Sequence, residues 1–80
     1  MKHRVGYKGY VIEAQSNEIR DGGYSVELYI EEHDAAGVTV TQFHLPSTFP
    51  TQEAAVEAAI QAGRLKIDMG FEKGSVVAKD

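Results

Sequence analysis

A period of two governs the apolar and polar positions in the first half of the chain, as a half-buried β-strand requires. In Tyr10-Val11-Ile12-Glu13-Ala14-Gln15, one face holds Tyr10, Ile12 and Ala14, and the other holds Val11, Glu13 and Gln15. Residues Tyr24 to Glu31 repeat the pattern more clearly. Tyr24, Val26, Leu28 and Ile30 point one way, and Ser25, Glu27, Tyr29 and Glu31 the other. Aliphatics against glutamates predict a sheet buried on one side and wet on the other. A third β-rich run, Val38 to Leu45, splits into Val38, Val40, Gln42, His44 and Thr39, Thr41, Phe43, Leu45. Phe43 and Leu45 are assigned to the core, which leaves Val38 and Val40 outside unless a bulge reverses the register. His3 to Tyr7 reads as a further short strand, with Lys8-Gly9 as a turn or bulge. Polar connections are expected over Ser16 to Gly23 and over His33 to Gly37.

The period changes after Pro46-Ser47-Thr48-Phe49-Pro50, which is expected to break the last strand. Thr51 suits an N-cap, and Glu53 falls in the first turn, where the helix dipole favours an anion. Strong helix formers follow from Gln52. Val56, Ala59, Ile60, Gly63 and Ile67 form one stripe, and the helix is carried to about Asp68. Small residues on this side, Ala55, Ala59, Ala62 and Gly63, predict a helix lying close to a sheet that supplies the bulk. Met69-Gly70-Phe71 ends it, and Phe49 is placed to pack on its first turn.

These elements predict an α+β fold: an antiparallel meander of three or four strands with one C-terminal helix on one face. Residues 1–71 form the expected domain and 72–80 a loose tail, in which Val76-Val77 has some strand character. One helix covers one face only. The uncovered face would carry Val11, Glu13, Glu27, Tyr29, Glu31, Val38 and Val40, more apolar around Tyr29 than a solvated face needs.

Composition narrows the chemistry. Eighty residues allow one modest core. No cysteine is present, which removes disulfides, thiolate metal sites and cysteine nucleophiles. No apolar run is long enough to span a membrane, the first residues do not read as a secretory signal, and the cytoplasm is the expected location. The net charge of −4 is unevenly spread: residues 21–63 carry seven Asp and Glu and no Lys or Arg. That acidic middle disfavours broad phosphate binding, leaving Arg4, Lys8, Arg20 and Arg64 as a candidate basic edge for nucleic acid. Glu31-Glu32-His33-Asp34 gathers metal-ligand residue types, but adjacent strand residues point to opposite faces, so a solvated acidic turn is favoured. His44 is read as a surface or rim histidine. No serine lies in a nucleophile-elbow context, and the glycines lack phosphate-loop spacing. No cofactor or metal is expected.

Three segments carry a resemblance: Tyr7-Lys8-Gly9-Tyr10-Val11-Ile12, Phe49-Pro50-Thr51-Gln52-Glu53-Ala54-Ala55 and Ala62-Gly63-Arg64-Leu65-Lys66-Ile67-Asp68. Together they resemble a group of small, uncharacterised, mostly proteobacterial single-domain proteins, which implies a fold and no activity. Asp21-Gly22-Gly23-Tyr24 and Thr51-Gln52-Glu53-Ala54-Ala55 are similar to the strand and helix entry of the antitoxin half of HicA/HicB pairs, although that family's Pro-Asp-Leu-Pro-Gly stretch is missing. The meander and helix also look like half of a double-stranded-RNA-binding fold without its basic helix start. The expected function is a non-enzymatic interaction or regulatory module, acting on a protein partner or as a homodimer through the uncovered face. Nucleic-acid binding or an antitoxin-like role through the basic edge is the alternative.

Overall fold

The alternating segments pair in the order in which they occur. A computed structural model describes residues 1–71. Strands β1 (Lys2–Tyr7), β2 (Tyr10–Glu18), β3 (Tyr24–Asp34) and β4 (Gly37–Phe49) form one antiparallel sheet in the order β1-β2-β3-β4, followed by α1 (Gln52–Met69). The fold is thus α+β, a four-stranded meander with its helix packed on one face. The expected tail over 72–80, including Val76-Val77, lies outside the described residues.

Turn chemistry fixes the register. Lys8 (φ 52°) and Gly9 (φ 85°) both adopt positive φ, the requirement of the two-residue hairpin turn whose twist matches its strands. Tyr7 therefore faces Tyr10, and Arg4 faces Glu13. The first segment is a full strand. β2 also runs further than its polar sequence suggests, because Asn17 and Glu18 find ladder partners in Ser25 and Tyr24.

The expected break at Pro46 is corrected. Between the pairs Val26–Leu45 and Tyr24–Phe49, two steps along β3 correspond to four along β4. The surplus residues form a bulge, and Pro46, which has no N–H to donate, sits within it on an outer strand. β4 thus continues to Phe49. Because the bulge lies beyond Leu45, it leaves the register of 38–45 intact. Thr41 and Phe43 are buried, while Val38 and Val40 are 57% and 47% exposed.

The core joins Ile12, Ala14, Val26, Leu28, Ile30 and Phe43 to Ala55, Val56, Ala59 and Ile60. Gly63 lies deepest. A methyl placed there would sit 2.8 Å from Ile12 Cγ2 and 3.2 Å from Leu28 Cδ1. Beyond the helix, Phe71 packs on Tyr10 and Phe43, each at a ring separation of 5.8 Å.

Thr51 begins α1: its Oγ1 accepts from the Ala54 N–H at 3.0 Å. Replacing Thr51 with alanine leaves that amide without its cap, and urea unfolding should show a loss of about 1 kcal/mol. Thr51→Ser should retain the stability. Equal stability of Thr51→Ala and the parent would show that the cap contributes nothing.

Candidate interaction surface

The sheet face away from α1 is built by register. One row crosses Arg4, Glu13, Tyr29 and Gln42, and the next crosses Gly6, Val11, Glu31 and Val40. Glu27 lies beside His44, and His33 beside Val38. All seven residues expected on the uncovered face (Val11, Glu13, Glu27, Tyr29, Glu31, Val38 and Val40) therefore share it.

Their chemistry differs from the expectation in one respect: the centre of the face is polar. Arg4 Nη1 lies 2.6 Å from Glu13 Oε1 and 2.9 Å from Glu31 Oε2, and Nη2 reaches Glu31 Oε1 at 3.2 Å. The fork thus spans β1 to β3, two hydrogen bonds going to one carboxylate. Gln15 Nε2 donates to Glu13 Oε2 at 2.7 Å, and His33 Nε2 lies 3.2 Å from Glu31 Oε1. Glu13 is buried under this network at 8% exposure, so it offers little to a partner. Tyr29 donates to Glu27 Oε1 at 2.9 Å. That bond and burial raise the phenol above its ordinary range. Exposed apolar area lies instead on the outer strand, at Val38 and Val40, while half-buried Val11 lies on β2 across Glu31.

The four candidate basic residues do not gather. Arg4 is held on the open face. Lys8 and Arg64 each approach the Tyr7 ring, at 5.4 and 5.7 Å from its centre. Tyr7 donates its hydroxyl to Asp68 at 2.9 Å, and Lys8 Nζ lies 2.7 Å from Asp68 Oδ1. This cluster ties the end of α1 to the first hairpin. Arg20 is exposed in the β2–β3 connection, at the opposite end of β2 from Lys8. The sequence reading missed the Arg4 bridge. Once Lys8-Gly9 is taken as a two-residue turn, counting back along β1 sets Arg4 opposite Glu13.

Between β1 and α1 lies a cleft of about 360 Å³. Val5, Val56 and Ile60 give it apolar walls, and Glu53, Glu57 and His3 add polar groups. Among the described residues, no group of three or more histidines or carboxylates is placed to hold a metal ion. No helix there is long and apolar enough to cross a membrane. Comparison of the chain with protein-family models, with curated proteins and with solved structures returns no match. The resemblances to known families rest on their sequence segments alone.

The ion pairs give these carboxylates a pH signature. Hydrogen bonds from Arg4, with a smaller contribution from His33, hold Glu31 below its usual range. Lys8 and then Tyr7 lower Asp68 in the same way. A carboxyl depressed in the folded state stabilises the fold above its unfolded pKa, and that contribution disappears as pH falls through the folded value. NMR titration should place the Glu31 and Asp68 midpoints below the ordinary range of their residue types. Arg4→Gln should raise the Glu31 midpoint and leave Asp68 where it was. A Glu31 midpoint that ignores Arg4→Gln would mean the bridge does not persist in solution.

Proposed function

We propose that the chain is a non-enzymatic interaction module that engages a protein partner through the open sheet face. The observation that carries this reading is the exposure of Val38 and Val40 on β4 beside an ion-paired and hydrogen-bonded charge network. Exposed β-branched residues on a paired strand present apolar area at small conformational cost, because their χ1 angles are already restricted. The adjoining Arg4–Glu13–Glu31 bridge holds its side chains in register, so ordering them on contact costs little more. Glu31 lies between Val40 and Val11 on this face and Glu27 lies beside His44, which suits a partner surface with basic groups next to its apolar contact.

The basic residues lend less to the nucleic-acid alternative. Arg4 and Lys8 already have carboxylate partners, and Arg20 is separated from Arg64 by the length of the sheet. Phosphate binding draws its strength from gathered, unneutralised cations.

The test uses the chain as bait in extract from its own cells. The parent and a helix-face control, Glu57→Gln, should retain the same partner, and Val38→Asp/Val40→Asp should lose it. Retention by all three would rule the open face out. Capture of RNA or DNA in place of protein would transfer the reading to the alternative.

A further inference from the structure

The candidate basic residues differ in what the fold gives them. Lys8 has Asp68, and Arg4 has Glu13 and Glu31. Arg64 rests 5.7 Å from the centre of the Tyr7 ring, and among the described residues its Nε is buried without a hydrogen-bond partner. A guanidinium keeps its charge at every ordinary pH and has donors only. An N–H of such a group, cut off from water and left without an acceptor, is costly. An acceptor brought from outside removes that cost.

Arg64 lines the cleft between β1 and α1. The helix period sets Glu53, Glu57 and Arg64 on one stripe beside that cleft. Glu57 and Arg64 are separated by about 10 Å along the helix axis. Val56 and Ile60 stand alongside on α1, and Val5 faces them from β1. The cleft thus has carboxylates toward the start of the helix, apolar walls, and a guanidinium toward its end. Its volume of about 360 Å³ is sufficient for a small ligand, for which sites of roughly 300–1,000 Å³ are usual.

We infer that this cleft binds a short apolar peptide with both termini free, its ammonium group toward Glu53 and Glu57 and its carboxylate at Arg64. Charge complementarity selects this occupant. A fatty acid answers Arg64 and leaves the two glutamates facing its tail. A polyamine answers the glutamates and is repelled by Arg64. A single amino acid carries both charges, but one residue spans only about 3.5 Å. Three extended residues span about 10 Å, the separation the helix sets between Glu57 and Arg64. Their apolar side chains then lie against Val5, Val56 and Ile60. A carboxylate accepts two parallel hydrogen bonds from one edge of a guanidinium, and on the edge that includes Nε it supplies the missing acceptor. The cleft shares no residue with the open face, so the two readings stand or fall separately.

NMR spectra of the backbone amides and arginine side chains, recorded while trileucine is added, test the site. Its N-acetylated and C-amidated forms serve as comparisons. The expected result is saturable shifts at Val5, Ile60 and the Arg64 Nε–H, with a Kd below about 1 mM. Blocking either terminus should weaken binding at least about fivefold. Arg64→Gln should bind trileucine no better than the parent binds the amide, with an unchanged circular dichroism spectrum. Glu53→Gln/Glu57→Gln should bind it no better than the parent binds the N-acetylated form. Val40→Asp should bind like the parent. If Arg64→Gln does not fold, the three peptides on the parent protein decide alone. No saturable shift up to about 5 mM, shifts centred on the open face, or equal affinity for the free acid and the amide overturns the site. Octanoate binding as tightly as trileucine at the same residues also overturns it, because the ammonium group then plays no part.

Discussion

The close approach of α1 to the sheet at Gly63 is the constraint on which the other features depend. No side chain separates the helix from Ile12 and Leu28 at this point. Ala55 and Ala59 continue the small-residue stripe toward the helix start, and both are fully buried. Bulk comes from the strands, so the helix is seated on β2 and β3 rather than suspended above all four. An eighty-residue chain has little apolar area to spend, and dense contact at the centre of the sheet concentrates it where burial is complete. The Tyr7–Lys8–Asp68 cluster at one end and the Thr51 cap at the other hold the helix ends.

Central seating has consequences for the sheet margins. Among the described residues, α1 packs less on β1 and β4 than on β2 and β3, and it lies on one face of the sheet only. The two margins solve this differently. At β1, Arg4 reaches across to carboxylates on β2 and β3, converting a charged edge into a bridge. At β4 the sequence offers threonine and valine instead of charge. The exposed valines of the open face, Val38 and Val40, therefore lie on the outer strand, with the Arg4 bridge on the side of β1 and β2.

Much of this is legible in the residues. The period-two segments identify β2, β3 and the first part of β4, because each has one face that must be buried. Thr51, Glu53 and the alanines identify the helix, and its small stripe correctly implies close contact with a bulky sheet. The continuation of β4 through Pro46 is not legible, because proline excludes regular pairing but not a bulge on an outer strand. Neither is the polar centre of the open face. Alternation assigns Glu13, Tyr29 and Glu31 to that face, but which of them lie under an arginine depends on a cross-strand register set by the turn at Lys8-Gly9. The basic edge fails for a related reason: Arg4, Lys8, Arg20 and Arg64 are grouped by charge along the chain, while strand direction and the helix send them to separate places.

The most direct test of the central seating is a double-mutant cycle between Gly63 and Ile12, read by urea unfolding. Intrinsic propensity alone favours alanine over glycine inside a helix by about 1 kcal/mol. At Gly63 the added methyl would meet Ile12 Cγ2 at 2.8 Å, and overpacking of about 1–3 kcal/mol opposes that gain. The account predicts that Gly63→Ala destabilises the parent protein. Its cost should fall by at least about 0.5 kcal/mol when Ile12 is shortened to valine. A stabilising Gly63→Ala, or the same change in both backgrounds, would contradict the close approach.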